Sequence, residues 1–255
     1  MAALLAAEHI ARSFGGVHAV VDTSLVVEKG TITGLIGPNG AGKTTLFNIL
    51  SGTLRPDAGR VLFDGHDITS ASPDRVARSG LTRSFQIARG FPTLTVLESL
   101  MLYAPEQVGD DLACALFRPG KWRAQDRDVA ARAGEIASML KLDLHLDNLT
   151  TALSGGQKKL LEIGRALMAE PKLILLDEPV AGINPSLARD IADILLDLRR
   201  AGYSFLVIEH DMGTVATICD PVVVMAQGRD LMRGSFAEIA ADRRVQDAYL
   251  GHVAS

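Results

Sequence analysis

The sequence is poor in cysteine and in long hydrophobic segments, and each shortage excludes a class of protein. Only two cysteines, Cys114 and Cys219, occur among 255 residues, and neither lies in a CxxC motif. They cannot build a disulfide framework, so we expect unpaired thiols in a reducing compartment. No apolar run approaches the ~20 residues that a membrane-spanning helix needs. We interpret the short apolar start, residues 1–7, as a first β-strand rather than a signal peptide, and we expect a soluble, cytoplasmic protein.

Positive charge and aromatic residues are also scarce. The chain has 26 Lys and Arg against 30 Asp and Glu, a formal net charge of −4, and only 5% aromatic residues. Binding to nucleic acid requires a basic surface, so we do not expect DNA or RNA as a partner. A hydrophobic content of 47% with 22% charged residues excludes a disordered chain and suits one large or two small domains.

Short runs of Val, Ile and Leu alternate with helical patterns along the chain, which is typical of an α/β sheet. The early runs lie close together and predict an antiparallel β layer, whereas the later ones are continuously apolar and predict buried parallel strands. From about residue 90 to 169 the strand signal nearly disappears, which predicts an inserted helical subdomain. The predicted strands are Ala19–Val27, Thr31–Ile36, Arg60–Phe63, Leu173–Leu176, Phe205–Ile208 and Pro221–Met225.

Residues 37–44, Gly-Pro-Asn-Gly-Ala-Gly-Lys-Thr, match the phosphate-binding loop pattern GxxxxGK[ST], between a predicted strand and a predicted helix. Glycines let the backbone wrap around a phosphate chain, so that N–H groups and the helix N-terminus point at negative charge. Lys43 can reach the β- and γ-phosphates, and the Thr44 hydroxyl can bind Mg²⁺. The sequence therefore predicts a nucleotide site.

Two further motifs fit a nucleotide-hydrolysing protein. The predicted strand Leu173–Leu176 is followed directly by Asp177 and Glu178. The carboxylate of Asp177 can help hold Mg²⁺, and the carboxylate of Glu178 can polarise a water molecule. Residues 153–157, Leu-Ser-Gly-Gly-Gln, open a helical segment and form a second anion site. Two phosphate-type sites in one chain suggest that one nucleotide is bound between two chains.

These motifs, in this order, resemble the ATP-binding cassette (ABC) ATPases over nearly the whole chain. The resemblance implies a P-loop NTPase (RecA-like) core with an antiparallel β layer and a helical subdomain. It implies one ABC domain over residues 1–255, with the core at about 1–86 and 170–255 and the helical subdomain at about 87–169. It also implies ATP and Mg²⁺ as cofactors, a second ABC ATPase subunit and integral-membrane permeases as partners, and an indirect link to a substrate-binding protein outside the membrane. The chain would then sit at the inner face of the membrane through the permease.

The resemblance also assigns site residues. It implies that Phe14 stacks on adenine and that Glu178 is the catalytic base, with His210 and Lys43 at the γ-phosphate. The implied nucleotide-binding residues are Phe14, Gly37, Pro38, Asn39, Gly40, Ala41, Gly42, Lys43, Thr44, Thr45 and Gln86. The implied magnesium ligands are Thr44, Gln86 and Asp177, and the implied signature residues that contact ATP of a partner are Ser154, Gly155, Gly156 and Gln157. No metal site beyond Mg²⁺ is expected.

A finer similarity points to the cassettes of branched-chain amino acid importers. It rests on Thr82–Gln86, Phe91–Leu97, Leu161–Arg165 and Pro179–Pro185, and on the insertion at about 115–125. Three alternatives stay open: the ATPase of lipopolysaccharide export, a transporter of urea, amides or aromatic acids, and a soluble ABC ATPase of iron–sulfur assembly.

Overall fold

The computed structural model describes residues 3–84, 91–105, 107 and 119–250. The chain forms two compact units, one made of Met1–Arg83 with Lys172–Ser255 and the other of Ser84–Pro171.

A mixed β-sheet dominates the first unit. The strands in chain order are β1 Ala3–Phe14, β2 Val17–Glu28, β3 Ile32–Ile36, β4 Ala58–Phe63, β5 His66–Asp67, β6 Leu81–Arg83, β7 Leu173–Asp177, β8 Ser204–Ile208, β9 Val222–Ala226 and β10 Arg229–Gly234. Among the described residues they form one ten-stranded sheet in the order β5-β4-β1-β2-β10-β9-β3-β8-β7-β6. β1, β2, β4 and β5 pair antiparallel, which confirms the predicted antiparallel layer.

The centre of the sheet is parallel and buried. β8 pairs with β3 on one side and with β7 on the other, and every residue of these three strands is buried. Side chains covered on both faces account for their continuous runs of Val, Ile and Leu, which confirms the prediction of buried parallel strands. Because the carboxyl ends of parallel strands meet at one edge of a sheet, the loops after β3, β7 and β8 come together there.

Three strands, the two-residue β5 and the longer β6 and β10, were missing from the sequence-based prediction. β6 has only three residues, and β10 is the polar segment Arg-Asp-Leu-Met-Arg-Gly, without a β-branched residue. The pairing of β6 with β7 and of β10 with β9 overrides these weak local preferences.

Polar capping residues mark the start of several helices. In chain order they are α1 Lys43–Leu50, α2 Pro73–Arg78, α3 Val96–Met101, α4 Pro119–Met139, α5 Gly155–Met168, α6 Pro185–Arg200, α7 Met212–Ile218, α8 Phe236–Ala241 and α9 Arg243–Leu250. Oδ1 of Asn184 accepts a hydrogen bond from the N–H of Leu187 and caps α6, while Ser235 and Glu238 form a capping box at α8. These caps fix where α6 and α8 begin.

The second unit is built from α3, α4 and α5, and its described residues contain no strand, as the prediction of a helical subdomain requires. Gly164 of α5 allows close packing, because a Cβ there would lie 2.8 Å from side-chain atoms of both Leu100 and Leu140. Arg165 is buried and donates hydrogen bonds from Nε and a terminal nitrogen to the Ser99 hydroxyl, at 2.9 and 2.6 Å. These contacts fix α5 against α3.

Across the described residues, every helix is too short or too polar to cross a bilayer. Cys219 is free and buried, and burial, helped by the charge of Glu209, raises the pKa of its thiol to about 12. It is an inert packing residue at neutral pH. Cys114 lies outside the described residues.

Candidate nucleotide-binding site

The loop between β3 and α1, residues 37–42, is shaped by glycines. Gly37, Gly40 and Gly42 all have positive φ, at +147°, +78° and +98°. Gly42 is the N-cap of α1, and no side chain caps this helix end. The first N–H groups of the helix are therefore not used by a capping side chain, which leaves an N-terminus suited to an anion.

Gly37 admits no side chain at all. A Cβ there would lie 2.0 Å from the carbonyl oxygen of Met225 on β9, whereas a Cβ at Gly40 would meet nothing within 4 Å. We expect Gly37→Ala to lower the free energy of unfolding by more than ~3 kcal/mol, since the strand backbone cannot yield. Gly40→Ala should cost only ~1–2 kcal/mol, the penalty of a left-handed alanine. Urea denaturation measures the free energy of unfolding of both variants. An equal decrease in the two variants would contradict the packing argument.

The side chain of Lys43, the first residue of α1, reaches back into the loop. Its Nζ donates hydrogen bonds to the carbonyl oxygens of Gly37 at 2.6 Å and Pro38 at 3.0 Å, and the residue is buried. Burial lowers the pKa of Lys43 from its usual value, while the negative charges of Glu178 and Asp177 oppose that shift. A phosphate beside Nζ would add further negative charge and favour the ammonium form.

Asp177 and Glu178 lie where β7 ends. Asp177 is its buried last residue, and Glu178 has φ +52°, a left-handed conformation that non-glycine residues seldom adopt. Oε1 of Glu178 lies 2.6 Å from Nε2 of His210, and the N–H of Glu178 donates to the carbonyl oxygen of Ile208 at 2.9 Å. Strain of this kind concentrates at functional sites, and here it accompanies the pairing of a carboxylate with an imidazole.

Glu209 is a site residue that sequence reasoning missed. Its carboxylate is buried and accepts hydrogen bonds from the N–H groups of Val180 at 3.0 Å and His210 at 2.9 Å. One carboxylate thus connects the loop after β7 to the loop after β8, next to Glu178 and His210. The only signal in the sequence was a glutamate directly after a buried strand.

These loops enclose a cleft of about 320 Å³. It is lined by Asn39, Gly40, Ala41, Gly42, Lys43, Thr44, Thr45, Glu178, Ile208 and His210, together with Val17, His18 and Ala19 from the start of β2. The structure therefore brings most of the predicted loop residues together with Glu178 and His210. His18 was not predicted here; its Nδ1 lies 2.8 Å from the Ser13 hydroxyl.

Other predicted residues lie around this cleft or outside the described residues. Gly37, Pro38 and Asp177 are buried and do not line it. Phe14 ends β1, and its half-exposed ring lies 4.9 Å from the guanidinium carbon of Arg12, again outside the lining. Gln86 lies outside the described residues.

The oxygen donors present suit Mg²⁺. Thr44, an exposed residue in the first turn of α1, offers a hydroxyl, and Asp177 offers a carboxylate. Mg²⁺ prefers such hard oxygen ligands and usually keeps waters and substrate phosphates in its coordination shell. Within the described ranges no group of three or more His, Cys, Asp or Glu could hold a metal by itself, so the phosphates of a nucleotide would have to complete the shell.

The predicted second anion site lies at the start of α5 in the other compact unit. Ser154 is exposed and is the N-cap of α5. Its hydroxyl accepts from the N–H of Gln157 at 3.4 Å, and Oε1 of Gln157 accepts from the N–H of Ser154 at 2.9 Å. Nε2 of Gln157 lies 2.8 Å from Nε2 of His145. The cap holds an exposed serine at the positive end of a 14-residue helix, with Gly155 and Gly156 in its first turn.

Comparisons with known proteins agree on one family. The family model for ABC transporters matches residues 20–181. A probable branched-chain amino acid transport ATP-binding protein LivG of Archaeoglobus fulgidus is 39% identical, over 97% of this chain and 95% of its own length. The lipopolysaccharide export system ATP-binding protein LptB of Escherichia coli K12 is 37% identical, over 98% of each chain.

Solved structures give the same result. A crystal structure of the ADP conformation of an ATP-binding cassette from an ABC transporter superposes with a TM-score of 0.84 at 36% identity, over 98% of this chain and 100% of the other. The predicted P-loop NTPase fold of the ABC type is thereby confirmed. Together, these matches show that the chain belongs to the ABC transporter family, as an ATP-binding and ATP-hydrolysing subunit of a transporter.

Proposed function

We propose that this chain powers an importer of branched-chain or related amino acids, and that its two compact units act as one ABC ATPase domain. The observation that carries the catalytic part is the contact between Glu178 and His210 beside Lys43 in one cleft. The support for an amino acid substrate is the name of relatives such as LivG at 39% identity.

In this proposal the cleft residues divide the work of phosphoryl transfer. Lys43 and the N–H groups at the start of α1 bind the phosphates, with Asn39, Gly40, Ala41, Gly42 and Thr45 forming the rest of the cradle. Glu178 accepts a proton from the attacking water, and His210 holds the Glu178 carboxylate in place. Mg²⁺, held by Thr44, Asp177 and Gln86, would neutralise charge on the phosphates. Phe14 stacks on the adenine.

The signature turn completes the site in a dimer. Ser154 and Gly156 of one chain lie against the γ-phosphate of ATP bound at Lys43 of the other, so that the closed dimer needs the third phosphate. Hydrolysis removes that attraction and reopens the pair, because a ligand shifts an equilibrium only by its differential affinity for the two states. The exposed hydroxyl of Ser154 and the uncapped start of α1 support this arrangement.

Exposed apolar side chains of the helical unit support a membrane partner. Phe91, Leu102, Tyr103 and Leu149 are large apolar side chains that remain 38–53% exposed. The hydroxyl of Thr150, the residue after Leu149, donates a hydrogen bond to the carbonyl oxygen of Phe91 at 3.0 Å. The segments that carry Phe91 and Leu149 are therefore joined by this hydrogen bond. Contiguous apolar surface marks interaction sites, and we propose that these side chains together contact the cytoplasmic end of a permease.

Reconstitution tests the importer and its substrate. We expect this chain to co-purify with integral-membrane permease subunits, and the purified complex in liposomes to take up labelled leucine when ATP and a substrate-binding protein are present. Extraction of lipopolysaccharide by that complex would instead support the export function suggested by LptB relatives at 37% identity. Purification without any membrane protein would support a soluble ABC ATPase and contradict the proposal.

A further inference from the structure

Arg83 is bonded to the carboxylate that we assign to magnesium. A terminal nitrogen of Arg83, the last residue of β6, donates to Oδ2 of Asp177 at 3.1 Å. The two side chains are 17% and 6% exposed, so the ion pair is shielded from water. Because β6 pairs directly with β7, Arg83 and Asp177 lie on neighbouring strands.

Arg83 is anchored independently of Asp177. Its other terminal nitrogen donates to Oδ1 of Asn48 at 2.5 Å, and its guanidinium carbon lies 5.7 Å from the centre of the Phe47 ring, within cation–π range. Asn48 and Phe47 both belong to α1, the helix that begins with Lys43 and Thr44. The guanidinium therefore joins the helix that carries one proposed magnesium ligand to the strand that carries the other.

This geometry leaves one oxygen of Asp177 for a metal. A planar guanidinium whose two terminal nitrogens bond to different partners fixes the orientation of both, which a lysine cannot do. With Oδ2 bonded to Arg83, rotation of the carboxylate is restricted, and Oδ1 is the oxygen that remains for a cation. Groups that hold a ligand in this way typically strengthen metal binding by ~10–100-fold.

We propose that Arg83 is a positioning residue that orients Asp177 for Mg²⁺ and couples it to α1 through Asn48. This inference rests on the proposed role of Asp177 as a magnesium ligand. Arg83 itself contacts neither nucleotide nor metal; it acts by keeping one carboxylate oxygen in place.

The test is a magnesium titration of nucleotide affinity in the full chain. Calorimetry measures binding of adenylyl imidodiphosphate, a non-hydrolysable ATP analogue, at increasing Mg²⁺ and in EDTA. Mg²⁺ should raise the affinity for the nucleotide analogue, and the Mg²⁺ concentration at which half of this increase is reached is the quantity compared. For Arg83→Met we expect that concentration to rise ~10–100-fold, with unchanged nucleotide affinity in EDTA. Arg83→Lys should recover only part of the loss. Asn48→Ala removes the anchor but keeps the guanidinium, and it should give a smaller shift in the same direction.

The outcomes separate this inference from the assignment on which it rests. Asp177→Asn should abolish the magnesium dependence; if it does not, the assignment of Asp177 is wrong. If Asp177→Asn abolishes the dependence while Arg83→Met and Asn48→Ala leave it unchanged, the positioning role is wrong. If Arg83→Met lowers the nucleotide affinity equally with Mg²⁺ and in EDTA, the variant has a general structural defect, and this result would also overturn the positioning role. Should Arg83→Met fail to fold, the shift measured for Asn48→Ala decides.

Discussion

Replacement of Glu178 by Gln should slow ATP turnover at least ~100-fold and leave ATP binding intact, because the amide keeps the shape of the side chain but cannot accept a proton. Gln can still place an oxygen near Nε2 of His210, which lies 2.6 Å from Oε1 of Glu178. The ATP-bound dimer should then accumulate, since the third phosphate that closes it is not removed. Steady-state phosphate release and size-exclusion chromatography with ATP measure the two effects.

Glu8→Gln is the matched control for this variant. Glu8 forms an ion pair with Arg60 on the surface of β1 and β4, far along the sheet from the ends of β7 and β8. Exposed pairs of this kind contribute little to stability, so turnover should stay at the wild-type rate. Normal hydrolysis by Glu178→Gln would refute the assignment of Glu178 as the base.

Replacement of Lys43 by Ala should abolish measurable ATP binding. The variant loses the ammonium group that lies among the loop carbonyls and the N–H groups of α1, where the phosphates are proposed to bind. A buried charge at a phosphate site cannot be replaced by water at equal strength, because charge-assisted hydrogen bonds are about twice as strong as neutral ones. Isothermal titration calorimetry with ATP gives the affinity directly.

Lys172→Ala provides the comparison for Lys43. Lys172 is half-exposed and pairs with Asp64 at 2.6 Å, so its loss removes the same charge from the same unit without touching the cleft. The affinity of Lys172→Ala for ATP should match that of the wild-type protein. Unchanged ATP binding by Lys43→Ala would argue against the role of the loop. Because Glu178→Gln should bind ATP and Lys43→Ala should not, the two variants also separate catalysis from binding.

The phosphate-binding loop could be predicted from sequence because all its determinants are local. Glycines with positive φ, the lysine and the start of α1 fall within eight consecutive residues, and the buried strand before them has a clear apolar pattern. The boundaries were less accurate, since β2 covers Val17–Glu28 where Ala19–Val27 was predicted. The two added residues at its start, Val17 and His18, are exposed and line the cleft.

Arg83 and Glu209 show what sequence reasoning could not reach. Arg83 meets Asp177 across 94 positions of sequence, and Glu209 meets Val180 across 29. Arg83 lies in the Thr82–Gln86 segment and Glu209 directly follows a buried strand, but neither position in the sequence indicates which side chain or backbone group the residue contacts. Their roles follow only from which strands are neighbours.

By itself the sequence determined the family, the fold class and the chemical groups available at each loop, because glycine-rich turns, capping residues and apolar runs act over a few neighbouring residues. The tertiary structure alone decided that β3, β8 and β7 lie side by side, and so which of those groups meet. An apolar run indicates that a strand is buried but leaves its neighbour open. That choice depends on how the whole sheet buries its side chains and satisfies its backbone hydrogen bonds.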